Sequence, residues 1–222
     1  METTYLKKFI DYSKKKVAFI PLGTIEWHGN HLPVETDFLV AQKICEVLSK
    51  KVKGYLLPPI YLGTDKEQKV GNRKLIGMNS ELGKELQGSL YYIKPNLLLL
   101  MIESLVDNLI KQGFTRVYIV TGHAASPQIE ALEKIAGKYK NVVVFLNPFK
   151  NLSFDAHHAD EYETSLFWAC CPGEEEKSRK IKISATDDYL KYKGYDPRDK
   201  ASLKIGKKML DEIIKNLTKK IS

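Results

Sequence analysis

"VAFIPLGTIEWHGNHLPVETD", residues 17–37, passes from an apolar run through a polar loop into the start of a helix. Val17–Leu22 is apolar and short, as expected of a strand buried in a sheet. The loop after it gathers Glu26, His28, His31, Glu35 and Asp37, all side chains able to bind a metal or move a proton. Glu26 and His28 are two apart, so in an extended segment they point the same way. Asp37 stands where the next helix begins, free to turn back toward them.

The same alternation recurs along the chain. "GYLLPPIYL" (54–62), "RVYIVTG" (116–122) and "NVVVFLNP" (141–148) read as further strands, and helical patterns cover 37–52, 81–92, 96–112, 127–139, 161–170 and 201–219. Strands alternating with helices predict an α/β fold, a mainly parallel sheet covered on both faces. Residues 61–80 and 172–200 are rich in turn formers and read as long excursions over the sheet. At 222 residues the whole chain, 1–222, is expected to form one domain.

Composition narrows the partners. The formal charge is +8, yet the lysines are interleaved with acids on helical patterns such as "LKIGKKMLDEIIKNLTKKI", which favours a solvated surface and no nucleic-acid partner, with a basic nucleic-acid-binding protein as the non-enzyme alternative. "NLLLLMIESLVDNLI" is broken by Glu103 and Asp107, too short a run for a membrane span. "METTYLKKFIDYSKKKV" lacks the apolar centre of a secretory leader, so a cytoplasmic protein is expected. Three cysteines, two of them adjacent at Cys170-Cys171, make neither a disulfide framework nor a zinc finger.

In a parallel sheet the ligand crevice lies beyond the carboxyl ends of the strands. All five histidines fall in three loops there or near there: His28 and His31 after 17–22, His123 in "TGHAAS" after 116–120, and His157 and His158 in "DAHHADEYE". Carboxylates and imidazoles without thiolate suit Zn²⁺, Mn²⁺ or Fe²⁺. Two such ions, with Asp37 as a bridging carboxylate, would lower the pKa of a shared water.

These motifs resemble the creatininase family of amidohydrolases. "GTIEWHGNHLPVETD" is similar to that family's G-S/T-x-E-x-H-G-x-H-L-P followed by T-D, "TGHAAS" to N-G-H-G-G-N, and "HADEYETS" to H-A-G-E-x-E-T-S. "YDPRDKASLKIG" matches the late D-P-R…A…G segment. The resemblance implies a three-layer Rossmann-like domain, a homo-oligomer (a hexamer), and a dinuclear metal centre cleaving a C–N amide bond. It implies Glu26 and His123 on one ion, His28 and Glu161 on the other, and Asp37 on both, with Fe²⁺ the first expectation and Zn²⁺ or Mn²⁺ the alternatives. Glu163 is the substitute for Glu161, although Thr164 and Ser165 beside it suggest a helix-start role. His158 matches the family's proton-transfer histidine and Asp155 a carboxylate near it, while His31 would brace the loop and His157 face outward.

Thr121, Ala124-Ala125-Ser126 and Asp160 depart from the family pattern beside the expected substrate pocket. A short lysine-rich chain with Ala125 where creatininase carries a metal-binding glutamate most resembles the archaeal formamidopyrimidine deformylases of the family. That implies a nucleotide-like ribotide substrate and release of formate in riboflavin and deazaflavin coenzyme synthesis. Lys66, Lys69, Arg73 or Lys74 could then meet a substrate phosphate. A creatinine amidohydrolase and a cofactor-precursor peptidase are the alternative activities.

Overall fold

The computed structural model describes residues 9–11, 14 and 16–221. Most of the N-terminal stretch read above for a secretory leader lies outside them. Among the described residues four parallel strands form the main sheet in the order β2-β1-β5-β6, where β1 is Val17–Leu22, β2 Tyr55–Leu56, β5 Arg116–Thr121 and β6 Val143–Leu146. A separate antiparallel hairpin pairs β3 (Glu67–Val70) with β4 (Arg73–Ile76). The helices are α1 (Thr36–Val52), α2 (Met78–Leu82), α3 (Pro95–Lys111), α4 (Ser126–Lys138), α5 (Glu161–Cys170), α6 (Glu174–Lys180), α7 (Asp188–Lys193) and α8 (Leu203–Thr218), with a 3-10 turn at Pro197–Asp199. The α/β class and the parallel sheet are those expected from the sequence.

Period-two alternation divides the core into two layers. Phe19, Tyr118 and Val120 point to one face, where α1, α5 and α8 cover them with Ile44, Leu166 and Met209. Ala18, Ile20, Val117 and Ile119 point to the other, against Leu98 and Ile102 of α3 and Leu132 of α4. Both faces being buried explains why the strands read as continuous apolar runs. Among the described residues no helix is long and apolar enough to cross a membrane.

Three expectations are corrected. The strand expected over 54–62 is regular only at Tyr55–Leu56, because Pro58-Pro59 has no amide hydrogen to donate; Ile60 then rejoins the sheet edge through its amide to the Pro21 carbonyl (2.9 Å). The helix expected over 81–92 ends at Gly83, which is in the left-handed region with φ of 71°. Beyond it Leu90 and Tyr91 donate to the Ile25 carbonyl, so the chain runs past the ligand-rich loop instead of coiling. The excursions are also structured: 61–80 carries the hairpin and α2, and 172–200 carries α6, α7 and the 3-10 turn.

The sheet places the site through a close approach at the end of β5. A Cβ on Gly122 would lie 1.9 Å from the Asp37 carbonyl oxygen, and one on Gly23 would lie 2.3 Å from the Phe38 amide nitrogen. Only glycine lets the first turn of α1 rest across the ends of β1 and β5, which lowers Asp37 into the crevice. Gly122→Ala should therefore cost at least about 1–3 kcal/mol, as overpacking does, and reduce Tm by roughly 2–4 °C per kcal/mol for a chain of this length. Thermal melting measures this, and an unchanged Tm would refute the tight contact.

Candidate metal centre

Four segments meet above the strand ends. The loop after β1 supplies Glu26 and His28, the first turn of α1 supplies Asp37, the turn after β5 supplies His123, and the segment entering α5 supplies His158 and Glu163. Three overlapping groups result: Glu26, Asp37 and His123; His28, Asp37 and Glu163; and Glu26, His28 and His158. Within each, the candidate ligand atoms all lie within 4.8 Å of one another. Glu26, His28, Asp37 and His123 are at most 5% exposed.

The contacts show convergence more than ordinary pairing. His123 Nδ1 stands 2.8 Å from Glu26 Oε1 and 3.2 Å from Asp37 Oδ2, yet both oxygens lack a hydrogen-bond partner. Neither lies where a ring N–H would point. These atoms face a common space instead of each other, as ligands of a cation do. His28 donates from Nδ1 to the Glu26 carbonyl (3.0 Å), so its other nitrogen, Nε2, faces Asp37 Oδ1 at 3.1 Å and Glu163 Oε2 at 3.9 Å. A backbone carbonyl behind the ring is the arrangement that fixes the tautomer of metal-binding histidines.

The electrostatics have the same meaning. Burial alone would push the His28 ring down, but Asp37, Glu163 and Glu26 outweigh it and hold the ring up to about 10. His123 is likewise driven well above its usual range by Glu26 and Asp37 against burial. Burial opposes ionisation of Glu26 and Asp37, yet the facing imidazoles keep both carboxyls below their ordinary values. Glu163 is pushed up to about 8, mainly by burial. The cluster retains protons because it needs positive charge, and divalent cations supply it more compactly. The residues present therefore fit a metal centre, on their unpartnered oxygens and on a donor set of carboxylates and imidazoles.

Of the residues singled out in the sequence, Glu26, His28, Asp37, His123 and His158 come together. Glu161 does not: its carboxylate accepts from the Tyr195 hydroxyl, away from the cluster, and Glu163 occupies the position facing His28. Asp155 is also elsewhere. Its side chain is 92% exposed and pairs with His157 Nε2 at 3.3 Å, leaving His158 without it. The partner of His158 is instead the Trp27 carbonyl, 2.7 Å from Nε2, and its Nδ1 faces Glu26 Oε1 at 3.8 Å. Burial and the neighbouring His28 depress this ring to about 4, so near neutral pH it is uncharged with a lone pair on Nδ1.

His31 braces the loop. Its Nε2 lies 3.1 Å from the Ala159 carbonyl and 3.0 Å from Thr164 Oγ1, and Ala159, at φ of 53°, donates its amide to the Glu163 carboxylate.

Two groups were not found in the sequence. Tyr92 donates its hydroxyl to the second oxygen of Glu26; it fell inside the segment misread as a helix. Asp65, whose carboxyl burial pushes above its ordinary value while the facing His123 draws it back down, points its Oδ2 toward His123 Nε2 at 3.8 Å. Its setting, "GTDKEQ", reads only as a turn. Asp65 lines a cavity of about 480 Å³ together with Lys66, Gln68, Ser126 and Phe149, a size suited to a small molecule. Of the other three basic residues proposed to meet a phosphate, Arg73 donates to the Gly83 carbonyl and Lys74 pairs with Glu67 at 3.0 Å.

Comparison with known proteins gives the family and the fold. The family model described as "Creatininase: Creatinine amidohydrolase" matches residues 2–221. A creatinine amidohydrolase of Pseudomonas putida is 23% identical over 180 residues, 70% of this chain and 65% of that enzyme, so the chain spans somewhat under two thirds of its length. Two solved structures share the fold. A manganese form of creatininase superposes with a TM-score of 0.72 at 18% identity, covering 98% of this chain and 95% of that one. A mutant creatininase of the Zn-Zn type gives 0.71 at 18% identity over the same shares. The chain belongs to the creatininase family.

Proposed function

We propose that this protein is a metal-dependent amidohydrolase acting on a small-molecule C–N amide, and that its substrate is the formamide of a formamidopyrimidine ribotide, with formate as product. The observation that carries the hydrolase reading is the unpartnered pair Glu26 Oε1 and Asp37 Oδ2, buried beside His123 on residues that line the cavity. Glu26, Asp37 and His123 would hold one divalent ion, and His28, Asp37 and Glu163 the other. Zinc or manganese, the ions of the creatininase structures, are the first to test, and iron(II), the expectation from the sequence, fits the same donors. Bound there, such ions supply Lewis acidity toward a carbonyl oxygen and lower the pKa of water.

The chain's own groups do the rest. Tyr92 holds one Glu26 oxygen and leaves the other for the centre. His158, fixed by the Trp27 carbonyl, presents an unprotonated Nδ1 at the cavity. It accepts a proton from the attacking water and passes it to the nitrogen as the C–N bond breaks. Lys66 lines the cavity and is the cation best placed for the ribotide phosphate. The homo-oligomer, a hexamer, that the resemblance implies goes with this reading.

A second reading, hydrolysis of creatinine, is favoured by the similarity to the Pseudomonas putida enzyme. Formate release from the ribotide and creatine formation from creatinine, assayed on the same metal-loaded protein, separate the two. The deformylase reading expects turnover of the ribotide alone, and turnover of creatinine alone would replace it.

His123→Ala should abolish hydrolysis together with tight metal retention, whereas His158→Ala should keep the metal and slow turnover by about 10²–10⁴-fold, the usual contribution of a proton-transfer group. Metal analysis beside steady-state rates measures both, and normal turnover of the His123 variant or metal loss in the His158 variant would reassign these residues. Metal binding must also displace the protons held by His28, up to about 10, and by His123. Affinity should thus rise with pH, about tenfold per unit for each proton displaced, and weaken in acid. Titration in metal buffers between about pH 6 and 8 checks the sign, and a flat profile would contradict it.

A further inference from the structure

Three imidazoles face the cluster, and each has a second ring nitrogen needing a partner. In His28 that is Nδ1, 3.0 Å from the Glu26 carbonyl, and in His158 it is Nε2, 2.7 Å from the Trp27 carbonyl. In His123 it is Nε2, which is buried and has no hydrogen-bond partner. The carboxylate facing it is Asp65, whose Oδ2 is 3.8 Å away.

We propose that Asp65 is the positioning residue of His123: its Oδ2 accepts the Nε2–H and fixes the tautomer that turns Nδ1 toward Glu26 and Asp37. The proposal rests on the metal-centre reading above. A turn role accounts for only half of this carboxylate. Oδ1 accepts from the Lys66 amide (2.6 Å), while Oδ2 is held close by the backbone at Gly77, where an added Cβ would lie 2.8 Å from it. The two segments are also tied together. The Thr64 amide donates to Gln128 Oε1 (2.9 Å), Gln128 Nε2 donates to Thr121 Oγ1 (2.9 Å), and Thr121 Oγ1 donates to the His123 carbonyl (2.8 Å). Thr64, Gln128 and Thr121 are fully buried. This chain of bonds holds the backbone beside Asp65 in register with the backbone of His123, so a shift of about 1 Å in the side chains brings the pair to charge-assisted hydrogen-bond length.

Asp65→Asn tests the assignment, because its amide oxygen still accepts from Lys66 while its NH₂ group opposes the His123 N–H. In the full-length chain, Zn²⁺ affinity measured against a chromophoric chelator should fall about 10–100-fold, with melting of the metal-free protein unchanged. Asp65→Glu, which keeps the charge, should recover part of the affinity. In the zinc-loaded parent, NMR should show a slowly exchanging, downfield His123 Nε2–H that the Asn variant loses. An Asn variant binding zinc within about twofold of the parent, or a parent whose His123 Nε2–H exchanges freely, would overturn the proposal and leave the metal centre intact. A parent that takes up no zinc, manganese or iron would overturn the metal-centre reading and this proposal with it.

Discussion

Confined negative charge is the constraint around which this protein is built. Glu26 and Asp37 bring candidate ligand oxygens within 4.8 Å of each other in a nearly solvent-free place. At an effective dielectric near 20, two unit charges at that distance repel by roughly 3.5 kcal/mol, and Glu163 adds to the burden. Such a cluster persists only with positive charge inside it. The imidazoles provide it as protons, and the oxygens left without partners show that the protons do not satisfy the geometry. A pair of divalent ions would do so with fewer groups, which is the physical ground for the proposed metal centre.

The scaffold exists to hold that charge in place. Two apolar layers grip a parallel sheet, the strand ends open on one side, and a glycine at the end of β5 admits the first turn of α1. Asp37 thereby reaches a position between residues from β1 and β5. Behind the ligating groups lies a ring of backbone carbonyls and buried side chains: Glu26 and Trp27 carbonyls on two imidazoles, Tyr92 on a carboxylate, and His31 on the loop that orients Glu163. The cavity beside the cluster is lined in part by Lys66, at the approach to the hairpin, and by the turn at Ala124-Ala125-Ser126. Three of the departures from the family pattern, Ala124, Ala125 and Ser126, stand at that turn, beside the candidate ligands and outside their number.

What was legible in the sequence follows from locality. Val17–Leu22 and Arg116–Thr121 could be read because buried parallel strands have an unmistakable apolar composition, and Glu26, His28 and Asp37 because they share one short loop. The choice between Glu161 and Glu163 could not be made locally. They differ by roughly 200° around a helix, and only the packing of α5 decides which of them faces His28. Asp155 was misplaced for a related reason: in an irregular loop, nearness in sequence to two adjacent histidines does not say which ring it meets. Tyr92 and Asp65 left no local signal, since each acts across the fold on a residue more than fifty positions away.

Anomalous diffraction from crystals of the zinc- or manganese-loaded protein tests the account most directly. It predicts two metal peaks, one between Glu26, Asp37 and His123 and the other between His28, Asp37 and Glu163, with Asp37 common to both. A loaded crystal without metal at these side chains, or with Glu161 in place of Glu163, would contradict it.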